Sequence, residues 1–186
     1  ALALALAFQV GANMKKFPRR TYRGVRDFLG DVRFPLQNRA KLRQAMGGEL
    51  VSFAFRERLM LAVTAVNDCR YCSYFHAKEA LRANLSEAEI RHMQDGIVDL
   101  APAEELPALL YAQHWAESDG RPDPDARQRI VDVYGRERAE AIEMVLRMIR
   151  SGNLLGNTAD YFLYRLSFGR LGVSERDHEP AVTKMP

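Results

Sequence analysis

The sequence predicts an all-helical fold. Leu, Ala, Arg, Glu and Met dominate it while Val, Thr and Ile are thin, a balance that favours helix over strand. Apolar residues recur at helical spacing in segment after segment, and no run alternates with strand period for long enough to suggest a sheet. The chain has 186 residues, 47% hydrophobic and 27% charged, which suits one domain with a tail and excludes wholesale disorder.

Taken in order, Pro18 opens a short helix over 19–29, which Gly30 ends. Pro35 marks a second over 36–46, with Gly47-Gly48 as its stop. From Glu49 to Val66, Leu50, Phe53, Ala54, Met60, Leu61 and Val63 repeat with helical period. Asn67-Asp68 then breaks the pattern and caps a helix over 69–83 that ends at a left-handed Asn84. In Leu85-Ser86-Glu87-Ala88-Glu89-Ile90, Ser86 and Glu89 form a capping box, and Leu85 with Ile90 a hydrophobic staple. A helix over 104–117 places Leu106, Leu109, Leu110 and Trp115 on its apolar side. Asp123 before Pro124 caps the next, which runs to Tyr134 with Gly135 beyond. Residues 136–150 carry a wide apolar stripe that includes Ile142, Val145, Leu146 and Ile149. Asn157 or Thr158 caps a last helix through Phe168, and the polar end from Val173 is loose.

Charge is unevenly spread. Between Lys15 and Arg43 ten Lys/Arg face only Asp27 and Asp31, while the rest of the chain holds 17 bases and 22 acids. Such a region reads first as a solvated helical surface, with contact to an anionic membrane surface as the sharper alternative. Nucleic acid is not expected, because zinc-finger spacing and aromatic-basic interleaving are absent. The apolar run from Ala1 to Val10 is too short to span a bilayer and lacks a basic stretch before it, so it is not a complete signal peptide. It reads as a helical arm, a segment ahead of a start at Met14, or the tail of a membrane anchor. The two cysteines stand three residues apart. They staple no distant segments, so a reversible dithiol in a reducing, cytoplasmic setting fits better than a secreted disulfide scaffold.

The chemistry centres on Cys69, Cys72 and His76. On one helix they fall within an arc of roughly 60°. A cap at Asn67 or Asp68 puts Cys69 in the first turn, where free N–H groups and the helix dipole favour a thiolate. By itself Cys-x-x-Cys reads as a redox pair, as half a metal site, or as coincidence. His76 narrows this by supplying proton handling: a thiolate attacks an O–O bond, the leaving alkoxide takes a proton, and the second thiol traps the sulfenic acid. His92, His114 and His178 receive no role, although His114 beside Trp115 is a candidate pocket residue.

Together the residues Glu57-x11-Cys69-x2-Cys72-x3-His76, followed by Asn84-Leu85-Ser86-Glu87-Ala88-Glu89-Ile90, resemble the alkylhydroperoxidase D-like, carboxymuconolactone decarboxylase superfamily. The motif covers about 49–90 and grows diffuse towards Leu166. The chain is expected to divide into a basic helical arm over 1–46, a helical domain over 47–170 that carries the alkylhydroperoxidase D-like resemblance, and a loose tail over 171–186. The resemblance implies a homo-oligomer, commonly a trimer or hexamer, and a thiol peroxidase without haem, metal or other cofactor. The partners implied are a hydroperoxide substrate and a dithiol reductant protein. Cys72 is then the peroxidatic thiol and Cys69, nearer the surface, the resolving one. His76 and Glu57 form the proton relay. Tyr71 departs from the pattern, since the best-characterised members carry His between the cysteines. The decarboxylase branch lacks the cysteine pair. Two further readings use the same cluster: a zinc site built from Cys69, Cys72, His76 and Glu57, and a redox-sensing interaction module.

Overall fold

A computed structural model describes residues 16–174 and Asp177. Among the described residues there are eight helices and no strand: α1 Val25–Gln37, α2 Arg39–Met46, α3 Phe53–Asn67, α4 Arg70–Arg82, α5 Glu87–Gln94, α6 Leu106–Glu117, α7 Pro124–Tyr134 and α8 Arg136–Leu166. The readings for 1–15, for His178 and for the end of the tail lie outside these residues.

Helix α3 is the centre. Ser52 caps it by accepting the Phe55 N–H at 3.2 Å, and Phe55, Leu59, Leu61, Ala62 and Val63 are all buried. A helix apolar on every side must be surrounded, and α3 packs against α4, α5, α6 and α8. Its few polar residues are accommodated in pairs. Arg58 reaches Glu89 of α5 at 2.6 Å and Glu105 at 3.1 Å, so three partly desolvated charges tie α3 to the start of α5 and α6. Glu89 is therefore spent on Arg58. Ser86 still accepts the Glu89 N–H at 3.1 Å, and Leu85 and Ile90 are buried as a staple requires. Asn84 has φ 63°, as expected of a helix-ending Asn.

Three expectations change. The first helix starts at Val25, not at Arg19, and runs through Gly30 and Pro35 to Gln37. The preceding segment is held away from helix by bonds to α8: the Tyr22 N–H donates to Thr158 Oγ1 at 3.1 Å and the Tyr22 hydroxyl to the Ser151 carbonyl at 3.2 Å. Pro35 falls in the last turn, so its missing N–H costs one bond, and the helix closes at Asn38, whose N–H and side-chain amide both donate to the Phe34 carbonyl at 3.0 Å. Leu110 is 56% exposed instead of buried; Ala108, Leu109, Tyr111 and Ala112 fill the inner face of α6.

The third change matters most. The expected break between Arg150 and Asn157 is absent, and α8 is one helix of 31 residues. Gly152 and Gly156, which look like stop signals in the sequence, lie inside it with ordinary helical backbone. Helix α8 runs past α2, α3, α4, α6 and α7, and its glycines stand opposite the two cysteines.

Candidate active site

The turn between α3 and α4 builds the site. Asp68 ends α3 in the left-handed region, φ 54° and ψ 45°, with its N–H on the Thr64 carbonyl at 2.8 Å. The chain thereby leaves Cys69 extended, φ −88° and ψ 104°, as the N-cap of α4. This corrects the expected cap at Asn67 or Asp68: Cys69 precedes the first turn, and its sulfur is the capping acceptor, 3.4 Å from the Cys72 N–H. Both cysteines are free thiols, with their sulfurs 2.9 Å apart.

Their depth also reverses expectation. Cys69, expected nearer the surface, is 0% exposed, whereas Cys72 is only partly buried. The capping turn buries Cys69 against α8, while Cys72 sits one turn up α4 with an open side. Their acidities separate accordingly. The Cys72 thiol and the Cys72 and Tyr71 N–H groups all point at Cys69, and Arg19 adds positive charge; against the cost of burial they bring Cys69 from 9.0 to about 7. Cys72 is pushed up by donating to Cys69, by burial and by the Cys69 charge, with a hydrogen bond from Asn153 acting the other way. The contact thus favours the charge on Cys69 and the proton on Cys72.

A pH dependence follows. A folded-state value lowered from 9.0 to about 7 means that the Cys69 thiolate stabilises the reduced fold above the upper value and that this stability is lost as pH falls through the lower one. Above the upper value the raised Cys72 thiol acts oppositely, because the unfolded chain then releases a proton that the folded chain keeps. Thermal unfolding of the reduced protein is expected to show a Tm that climbs across this window and then declines. A Cys69→Ser protein is expected to lose the climb.

His76 and Glu57 form the second pair. Glu57 is 3% exposed, and its Oε2 lies 2.7 Å from His76 Nδ1. A carboxylate can only accept, so Nδ1 carries the proton and Nε2 is left as the basic nitrogen. Arg56 approaches the other Glu57 oxygen at 3.5 Å, while Arg58 turns away to α5. Glu57 is thus a buried orienting carboxylate, not a surface ion-pair partner. The structure brings together Cys69 with Cys72 and Glu57 with His76; among the described residues no direct hydrogen bond joins the two pairs.

The opposite wall, α8, is what sequence reasoning missed. A Cβ at Gly156 would lie 2.8 Å from the Cys69 sulfur and one at Gly152 would lie 3.9 Å from the Cys72 sulfur. Each glycine is followed by a buried asparagine. Asn153 donates to Thr64 Oγ1 at 3.1 Å and accepts from Asn67 at 3.2 Å, and Asn157 donates to the Asn67 carbonyl at 2.8 Å. The signal was present in Gly152-Asn153-Leu154-Leu155-Gly156-Asn157, a Gly-Asn pair repeated after one helical turn. It reads as a helix stop and a new cap unless the site opposite is known.

Elsewhere, His114 does line a cleft of about 460 Å³ between α6 and α7, with Nε2 3.2 Å from Asp123. Among the described residues no group of three His, Cys, Asp or Glu side chains is arranged to hold a metal ion, which leaves the zinc reading without a converging donor set. No helix among them is long and apolar enough to cross a membrane. Residues 37–118 match the model of the carboxymuconolactone decarboxylase family. No curated protein and no solved structure matches the chain.

Proposed function

We propose that the chain is a thiol-dependent peroxidase that reduces small hydroperoxides at Cys72 and Cys69, a reading supported by the match of residues 37–118 to the carboxymuconolactone decarboxylase family. The observation that carries the reading is the asymmetric dithiol. Two free sulfurs stand 2.9 Å apart, the acidity of the partly exposed one lowered and that of the buried one raised by their contact. The family includes alkylhydroperoxidase-like enzymes as well as decarboxylases, and a dithiol has no part in decarboxylation.

Access supports Cys72 as the attacking thiol, since it is the more exposed sulfur. As Cys72 attacks, its proton shifts across the 2.9 Å contact to Cys69, while His76, its ring held by Glu57, relays a proton from solvent to the leaving group, directly or through one water. The Cys72 thiolate attacks the distal peroxide oxygen. The O–O bond breaks, Cys72 becomes a sulfenic acid, and the leaving alkoxide takes the proton from His76 as alcohol. Cys69 then attacks the Cys72 sulfur; the S–O bond breaks, and the hydroxide leaves with the Cys69 proton as water. The disulfide is returned to two thiols by an external dithiol protein. The Tyr71 hydroxyl, 2.8 Å from Asp160, is committed to that carboxylate, so the relay rests on His76 and Glu57.

Assembly into a homo-oligomer belongs to the same proposal. On α1, Val25, Phe28, Leu29, Val32 and Leu36 form an exposed stripe, and Leu155, Phe162, Leu163 and Leu166 are exposed along α8. Continuous apolar faces of this kind favour association.

The test is stoichiometric. Reduced protein mixed with excess cumene hydroperoxide is expected to consume one equivalent per chain in a burst and to lose both free thiols. Without the burst, and with both thiols still titratable afterwards, the peroxidase reading fails.

A further inference from the structure

A cleft of about 1040 Å³ lies between the segment 16–23, the start of α1, the loop that follows α6 and one face of α8. Arg147, Arg150 and Leu154 supply the α8 face. At 100° per residue they stand opposite Gly152 and Gly156, the residues that approach the two cysteine sulfurs. The cleft is therefore on the other side of α8 from the dithiol. Trp115 and Leu154, both buried, form its apolar floor.

The lining is strongly basic. Eight of its side chains are Lys or Arg and four are Asp or Glu, a net of +4. Half of the cations are taken up by the protein itself. Asp160 holds Arg19 at 2.8 Å. Asp119 holds Arg150 at 2.6 Å and Arg23 at 2.9 Å, and Asp31 lies 3.6 Å from Arg150. Arg20 donates to the Ala116 and Glu117 carbonyls at the end of α6. Lys16, Arg26, Arg121 and Arg147 are the other four, and among the described residues none of them has an ion-pair partner. The two remaining acids of the lining, Asp27 and Glu117, offset half of that charge at most.

Arg147 is also held in place without being used. Its guanidinium lies 4.0 Å from the centroid of the buried Phe34 ring, a contact that fixes the group while leaving its N–H donors for an acceptor. Solvated arginines scattered over a surface call for no ligand. Four unpaired cations around one recess are a different case. The low-dielectric walls concentrate their field inside it, and an anion that several of them contact at once relieves their mutual repulsion.

We propose that this cleft binds a small-molecule anion carrying two or more negative charges on phosphate or carboxylate oxygens, held by Arg147, Arg26, Arg121 and Lys16 over the Trp115 floor. Planar guanidinium forks match both kinds of oxygen bidentately. A ligand with a single charge would leave part of the excess unmet. The site uses none of Cys69, Cys72, His76 and Glu57, so it stands whether or not the chain reduces peroxides.

Trp115 is the only tryptophan of the chain, and its fluorescence reports on the cleft. The full chain is titrated with inorganic pyrophosphate and, separately, with citrate at about 0.15 M KCl, with calorimetry alongside. At least one of them is expected to bind saturably with a Kd of about 100 μM or tighter. The tighter one identifies the ligand as a phosphate compound or a polycarboxylate. Arg147→Gln is expected to weaken that binding about tenfold, and a protein carrying both Arg26→Gln and Arg121→Gln by at least as much. Arg91→Gln removes the same charge from α5, which contributes nothing to the cleft, and is expected to leave the Kd within about twofold. All four substituted side chains are exposed. Should Arg147→Gln fail to fold for want of the Phe34 contact, the Arg26→Gln, Arg121→Gln protein decides. Equal weakening by Arg91→Gln and the cleft variants marks diffuse attraction to a basic protein and overturns the proposal, as does an unchanged Kd in the cleft variants. No saturable binding of either anion up to about 10 mM overturns it too, including where the protein then sediments with phosphatidylserine vesicles.

Discussion

Cys72→Ser is expected to abolish the peroxide burst, slowing first-turnover consumption on the order of a thousandfold or more, as removal of a nucleophile does. Cys69→Ser is expected to retain the burst but to stop there, with Cys72 held as a sulfenic acid that a dimedone-type probe captures. The reason is access: Cys69 is wholly buried and Cys72 is not. Acidity points the other way, since Cys69 is the thiol brought to about 7. The two variants therefore set exposure against ionisation. If Cys69→Ser loses the burst and Cys72→Ser keeps it, the acidic thiol is the nucleophile and the assigned roles are reversed. Stopped-flow consumption of cumene hydroperoxide, scored per chain, decides between them. The serine at position 69 also removes the capping thiolate, so its Tm is measured alongside.

Gly156→Ala is expected to damage the site where Gly152→Ala does not. A Cβ at 156 would stand 2.8 Å from the Cys69 sulfur and 3.3 Å from Tyr71 Cδ2. The sulfur sits on a backbone fixed by the left-handed Asp68, so it cannot withdraw freely. Overpacking of this kind costs about 1–3 kcal/mol, more than the roughly 1 kcal/mol that alanine returns in helix propensity. The expected result is a lower Tm and a thiolate midpoint moved upward, because the Cys69 sulfur is pushed off the Cys72 N–H. At 152 the same methyl meets the Cys72 sulfur at 3.9 Å, an ordinary contact, so the propensity gain stands alone and Tm is unchanged or higher. Thermal unfolding of both variants beside wild type, with thiolate absorbance against pH, tests the contrast; a Gly156→Ala protein as stable and as acidic as wild type would show that α8 does not confine Cys69.

Local signals were strong wherever one residue's chemistry sufficed. The Ser86 cap, the left-handed Asn84, the Asp123-Pro124 start and the buried periodicity of α3 are all decided within a few residues of sequence. Signals failed where a residue's meaning depends on what faces it. Gly30, Pro35 and Asn157 read as punctuation, yet all three lie inside helices. Leu110 fits an apolar stripe and nevertheless faces solvent. Arg19 looked like one more cation in a basic arm and is instead buried against Asp160.

The dithiol shows the same division. By itself the sequence determined that two thiols and a histidine lie close together at a helix start, that the fold is helical, and that Glu57 precedes Cys69 with eleven residues between them, because these depend on residue type, order and period. Only the tertiary structure decided which thiol is buried and that Glu57 holds the His76 ring. It also placed Gly152, Gly156 and Asn153 around the pair and tied Arg19 to Asp160. Those outcomes depend on desolvation and on charges brought together from opposite ends of the chain, and neither quantity exists until α8 packs across the start of α4.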